Sequence, residues 1–150
     1  MRLAIGSDHA GFPLKATILD FLRKEGHEVE DFGSFDEKPV DFPDITREVG
    51  NSILSGDTQR GIMICGTGVG ACIAANKIPG IRASLNHDVY SAHQCVEHDN
   101  VNVMAIGAQI VGPVLALELI ETFLKAEFND AEEFVRRVEK ISQLEEDFRR

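Results

Sequence analysis

The chain has 150 residues, with 15 basic and 25 acidic side chains, a formal net charge of −10 and an isoelectric point near 4.9. That length can bury one ordinary core, and 43% hydrophobic with 27% charged residues excludes a disordered chain. The acidic balance argues against nucleic acid or an anionic membrane as partner, and no apolar run approaches the ~20 residues that span a bilayer.

Met1 to His9 runs straight into a strand-like segment without a signal-peptide layout, which predicts a cytoplasmic protein. Leu3-Ala4-Ile5 is the first strand and ends in Gly6-Ser7-Asp8-His9. A helix follows, with Pro13 in its first turn and Leu14, Ile18, Phe21 and Leu22 on one face. Gly26 ends it, and His27 to Phe32 alternates as a second strand. Gly33 to Pro43 reads as a charged loop. Ile45, Val49 and Ile53 mark a second helix, stopped by Gly56.

Gly61 to Cys65 is a third strand, apolar enough to be buried on both faces. A glycine turn and a short helix through Ala71–Ala75 follow it, then a fourth strand, Ile81 to Leu85. Asp88 caps a helix running to about Glu97, and Val101 to Ile106 is the fifth strand. Val114 to Ala126 is helical, with Leu115, Leu119 and Phe123 inward. A last amphipathic helix spans about Ala131 to Phe148, striped by Phe134, Val138, Ile141, Leu144 and Phe148. That stripe suits either its own domain or a second subunit.

This alternation predicts a single α/β domain over residues 1–150, doubly wound and Rossmann-like. It has three layers, a five-stranded parallel sheet and an extra C-terminal helix. Right-handed crossovers bring the strand ends to one edge, where such sheets bind ligands. The places to look are therefore Gly6–His9, Asp31–Gly33, Cys65–Gly70, Leu85–Asp88 and Gly107–Gln109.

Three cysteines, Cys65, Cys72 and Cys95, with no CxxC spacing, make neither a disulfide framework nor a structural zinc site. Cys72 and Cys95 read as small buried hydrophobes. Cys65 differs, because it opens Cys65-Gly66-Thr67-Gly68-Val69-Gly70. Three glycines between a buried strand and a helix let several N–H groups converge on one volume, which suits an oxyanion. A thiol there feels positive potential that favours the thiolate. Thiolate beside oxyanion nest fits attack on a carbonyl or proton removal from the carbon next to one.

Other readings of the same residues stay open at this point. The turn can serve geometry alone, or bind an anion without catalysis, or carry a cysteine hydrolase. Gly66, Gly68 and Ala71 also fit G-x-G-x-x-A with Asp88 downstream, a weak dinucleotide signal after a third strand. Asp8-His9 suits either proton positioning and phosphate binding or a solvated helix start. His98, in Glu97-His98-Asp99-Asn100, suits either chemistry or a plain exposed loop. His27, His87 and His93 read as structural or surface residues.

Taken together, several segments resemble the ribose-5-phosphate isomerase type B family, which includes galactose-6-phosphate and allose-6-phosphate isomerases. They are Gly6-Ser7-Asp8-His9-Ala10-Gly11, Val40-Asp41-Phe42-Pro43, Cys65 to Gly70, Ala74-Ala75-Asn76-Lys77 with Gly80-Ile81-Arg82-Ala83, and Glu97-His98 with Asn102-Val103. The resemblance runs through the whole chain. It implies an aldose–ketose isomerase that uses a cis-enediolate, with no cofactor and no metal. It implies Cys65 as the base between C1 and C2. Thr67 and the amides of Gly66, Gly68, Val69 and Gly70 hold the enediolate oxygens. His98, with Asp8 nearby, opens the furanose ring, Asp99 helps bind the substrate, and His9 and Arg137 bind phosphate. The partners implied are a small sugar or sugar phosphate and a second copy of the chain. The resemblance places the site between the subunits of a homodimer or a dimer of dimers.

The chain departs from the family at the phosphate end. Gln109 stands where an Arg is usual, and Glu133-Phe134 where Arg-His is usual. Phe42 lacks the hydroxyl of a usual Tyr, and Asp99 replaces a common Asn. Each charge-assisted bond to an anion is worth roughly 1.5–3 kcal/mol, so these changes bear on the substrate. Ribose 5-phosphate and ribulose 5-phosphate are the expected pair. The alternatives are another sugar phosphate (allose or galactose 6-phosphate, a tetrose phosphate) or a free aldose.

Overall fold

The structure, a computed structural model, describes residues 1–149; Arg150, the last residue of the expected domain, lies outside the described residues. Five strands alternate with five helices, and a sixth helix follows. The strands are β1 (Arg2–Ser7), β2 (Glu28–Asp31), β3 (Arg60–Cys65), β4 (Ala83–Leu85) and β5 (Val103–Gly107). The helices are α1 (Phe12–Lys24), α2 (Phe42–Leu54), α3 (Val69–Ala75), α4 (Val89–Asp99), α5 (Pro113–Lys125) and α6 (Glu132–Asp147). All strand pairs are parallel, in the order β2-β1-β3-β5-β4. The expected doubly wound, three-layer sheet is present.

Element boundaries moved where side chains or turns claim the backbone. β2 starts at Glu28 because the His27 N–H closes the end of α1 on Leu22 O. The Arg82 N–H is taken by Asn102 Oδ1 at 2.8 Å, so β4 begins only at Ala83. Asn100 takes φ +50, ends α4 and delays β5 to Val103. The end of the expected 33–43 loop is helical instead: α2 opens at Phe42, with Pro43 in the first turn where its missing N–H costs nothing.

The two faces of the sheet differ in bulk. Leu3, Ile5, Ile62, Ile64, Met104 and Ile106 meet α1, α4 and α5 in one core. Ala4, Met63, Cys65, Val103 and Ala105 meet α2 and α3 in the other. Small residues on that second face let α2 lie close. A Cβ at Gly6 would come within 2.6 Å of Ile45, and one at Gly61 within 2.7 Å of Val49. Each fully buried aliphatic or aromatic chain, such as Ile18, Leu119 or Phe123, contributes roughly 1.5–3 kcal/mol.

The helix after β5 is locked at its far end by Arg60. Its guanidinium donates to the carbonyls of Phe123 and Ala126 and lies 5.2 Å from the Phe123 ring centroid. α6 then crosses the amino end of the sheet. Glu145 on it accepts the Gly80 N–H at 3.0 Å, and none of its residues is buried. Ile141, Leu144 and Phe148 of its stripe stay exposed. Among the described residues no helix is long and apolar enough to cross a membrane.

Candidate active site

β1 and β3 are neighbours, but the chain leaves β1 toward β2 on one side and reaches β3 on the other. Such a reversal opens a crevice at the carboxyl ends of the two strands. Asp8 and Cys65 stand on either side of it. The main chain stitches it together: the Asp8 N–H donates to Ile64 O at 3.1 Å, and Ala108 N–H to Cys65 O at 2.8 Å. The Asp8 carboxylate is buried and accepts the Gly11 N–H at 2.8 Å, which fixes the entry of α1.

The Cys65 side chain is 5% exposed and its sulfur accepts the Gly68 N–H at 3.0 Å. A main-chain amide is therefore aimed at the sulfur. Gly68 achieves this with φ +80, in the left-handed region, while packed against Leu85; a Cβ there would sit 2.4 Å from Leu85 Cδ1. Gly66 is buried beneath the Gln109 side chain, and the half-buried Gly70 lies against the Phe42 ring. Thr67 and Val69 are exposed at the crest of the turn, where the Val69 N–H donates to Thr67 Oγ1 at 3.3 Å. Beside the turn runs an apolar groove of about 530 Å³, lined by Phe42, Gly70, Ile73 and Ile78, with Arg47 and Lys77 on it.

His9 is half-buried at the same end of the sheet. Its Nδ1 accepts the Val40 N–H at 3.3 Å, so the network assigns the proton to Nε2, free to donate to an anion. The segment that carries Val40 is anchored by Lys15. This buried ammonium donates to Asp31 Oδ1 at 2.8 Å and to Ser34 O at 2.5 Å.

The remaining expected residues lie elsewhere. α4 starts at the carboxyl end and returns to the amino end, as every crossover helix between parallel strands must. His98 and Asp99 occupy its last turn, about 15 Å of helix away from its start. Arg137 is exposed on α6, also at the amino end, with Phe134 between it and His98. Within one chain, sheet polarity holds Asp8 and His98 at opposite ends. The same holds for His9 and Arg137. One chain brings Asp8, His9, Cys65, Gly66, Thr67, Gly68, Val69 and Gly70 together, and separately gathers His98, Asp99 and Arg137.

Sequence reasoning missed two participants. His87 Nε2 accepts the Gly107 N–H at 3.0 Å, which pins the turn after β5 that lies over Gly66. Its position at a strand's carboxyl end was the available signal. Lys15 falls in the buried row with Ile18, Leu19 and Leu22, a spacing that already placed it inward. Of the other thiols, Cys95 is buried and Cys72 only half-buried, not the fully buried hydrophobe expected. Burial pushes both up from the ordinary thiol range. Hydrogen bonds from Ser91 hold the Asp88 carboxyl below the usual range, as fits the cap it forms on α4. Among the described residues no group of three or more His, Cys, Asp or Glu side chains converges as a metal site.

Comparison with known proteins bears on the whole chain. A family model described as Ribose/Galactose Isomerase matches residues 3–141. The chain is 44% identical over 148 residues to a D-erythrulose-4-phosphate isomerase of Pectobacterium atrosepticum, covering 97% of this chain and 95% of that one. It is 40% identical over 146 residues to a ribose-5-P isomerase B of Listeria innocua, covering 97% and 96%. The solved structure of Clostridium thermocellum ribose-5-phosphate isomerase B superposes with a TM-score of 0.96 at 46% identity, covering 99% of this chain and 100% of that one.

Proposed function

The chain belongs to the ribose/galactose isomerase family and is an aldose–ketose isomerase, and from that premise we propose that it interconverts ribose 5-phosphate and ribulose 5-phosphate with Cys65 as the base. The Cys65 thiolate takes the proton from C2 of the opened aldose and returns it to C1, while a proton passes between O2 and O1. The observation that carries this reading is the Gly68 amide on the Cys65 sulfur, at the crevice between β1 and β3. That bond commits one N–H of the turn to the thiolate and leaves those of Gly66, Thr67 and Gly70, with the Thr67 hydroxyl, to the enediolate oxygens. His98 protonates the ring oxygen of the furanose as Asp8 accepts the proton of the anomeric hydroxyl. His9, through Nε2, and Arg137 hold the phosphate, and Asp99 lies against the sugar beside His98.

These roles require two copies of the chain. The groups for isomerisation lie at one end of the sheet and those for ring opening at the other, so the working unit is a homodimer, alone or within a dimer of dimers. The exposed Val69 and Ile73 beside the apolar groove supply a surface for the second copy. A cytoplasmic setting fits three cysteines that are all free.

Mixing two inactive variants tests the proposal. Cys65→Ala and His98→Asn homodimers are unfolded and refolded together. One site of each mixed dimer is then whole, so about a quarter of wild-type turnover of ribose 5-phosphate returns. No recovery in a preparation that contains mixed dimers would place both groups in one chain's site and overturn the reading.

A second reading keeps the chemistry and shortens the sugar. Gln109, Glu133 and Phe134 remove cations at the phosphate end, and one 44% identical relative acts on D-erythrulose 4-phosphate by its name. A kcat/KM for erythrulose 4-phosphate above that for ribulose 5-phosphate would select it. Turnover of free ribose or allose in preference to both would end the phosphate assignment.

A further inference from the structure

Phe134 lies against the His98 imidazole, with ring centroids 4.4 Å apart and planes inclined by 29°. A built turn puts it there. In the connection from α5 to α6, the Asn129 N–H donates to Glu97 O at 2.9 Å, in the last turn of α4. Asn129 Oδ1 then accepts the Ala131 N–H at 3.0 Å, and α6 begins one residue later. The first turn of α6 is thus tied to the turn that carries His98.

The carboxylate nearest to His98 is otherwise engaged. Glu97 Oε2 meets His93 Nε2 at 3.1 Å but lies 4.0 Å from His98 Nε2, beyond hydrogen-bond reach. The plane of His98 is therefore set by a phenyl face rather than by an acid. On the same phenyl ring, the Arg137 guanidinium carbon lies 5.6 Å from the centroid. The His98 side chain is 35% exposed beside the stack, so the imidazole is not sealed from a substrate.

We propose that Phe134 is the positioning residue for His98, holding the imidazole plane for ring opening; this rests on the role given to His98 above. Substrate chemistry offers a clean separation. Ribose 5-phosphate is a furanose closed through O4 and must be opened. A tetrose 4-phosphate carries its phosphate on O4 and cannot close that ring. An effect transmitted through His98 should therefore reach only the first sugar.

The test compares the wild type with Phe134→Leu and Phe134→Tyr on ribose 5-phosphate and on erythrose 4-phosphate. Phe134→Leu should lower kcat/KM for ribose 5-phosphate about 10- to 100-fold more than for the tetrose phosphate, any loss of phosphate binding through Arg137 on the same ring falling on both sugars alike. Phe134→Tyr keeps the ring face and should restore the pentose activity. In parallel, the His98 ring-proton resonances, held upfield by the phenyl ring current, should move downfield in Phe134→Leu and not in Phe134→Tyr. Equal losses on both sugars, no loss on the pentose, or unmoved His98 resonances would each overturn the role of Phe134 alone. Wild-type turnover confined to the tetrose phosphate would overturn it too, since no ring would be opened. Turnover of neither sugar would instead overturn the substrate proposed above, on which it stands.

Discussion

At the carboxyl end of the sheet the candidate groups are fixed by the main chain, whereas at the amino end they stand on the exposed turns of two helices. Asp8, Cys65 and Gly68 are buried and each takes part in a hydrogen bond donated by a main-chain N–H. His98 is held by an aromatic face, and Arg137 is exposed on a helix with no buried residue. On the function proposed above, the contrast separates two tasks. Moving a proton between adjacent carbons needs a base and oxyanion donors preset to within fractions of an ångström. Ring opening also needs its imidazole held, and at the amino end a phenyl face rather than the main chain supplies that hold.

Substitutions can break or sharpen this contrast. Cys65→Ala should lower turnover by about 10³-fold or more while leaving the circular dichroism spectrum unchanged. Alkylation by iodoacetamide should be slowed at Cys65 by ribulose 5-phosphate, as read by peptide mass spectrometry. Gly68→Ala should destabilise the fold by about 2–4 kcal/mol in urea titration, since its Cβ has no room beside Leu85 and the residue sits at φ +80. It should also lower kcat, because the amide on the sulfur must shift.

Smaller effects are expected further out. His87→Ala orphans the Gly107 N–H and should cost about 1–2 kcal/mol. Ile141→Ser, on the exposed stripe of α6, should stay within about 0.5 kcal/mol. A loss at Ile141 equal to that at His87 would erase the contrast between the two ends. The smallest effect is a pH slope. Burial and the nearby N-terminal charge hold His27 below its ordinary value of 6.5. The unfolded chain therefore binds a proton that the folded one refuses as pH falls below 6.5, and stability declines through that window. His27→Gln should flatten the fall in Tm between neutral pH and pH 5, measured by calorimetry.

Much of the carboxyl end was legible in the chain itself. Apolar runs such as Gly61–Cys65 demand burial on both faces, and their alternation with helices forces parallel strands whose ends share an edge. Glycines flanking Cys65 then mark where the backbone must turn sharply. Two things lay beyond that reading. Strand order depends on which helix packs on which face, and side-chain periodicity does not encode it. The burial of Lys15 depends on Asp31 and Ser34, which come from β2 and the loop after it. The separation of His98 from Cys65 was available in principle, because a helix joining parallel strands must travel the full height of the sheet. The resemblance to the family, which places the site between two subunits, already allowed the ring-opening and phosphate groups to come partly from a second copy.

That return journey has a consequence for how the chain can change. The eleven residues of α4 rise about 16 Å, close to the span of the five residues of β5 beside it. One residue inserted in this helix would swing the imidazole by about 100° around the axis and off the phenyl ring, while the strands kept their register. Placed after Val96, so that the buried Ala92, Cys95 and Val96 keep their face, such an insertion would displace the histidine while sparing the helix's packing. The length of a single crossover, as much as the identity of any side chain, sets the address at which that histidine is delivered.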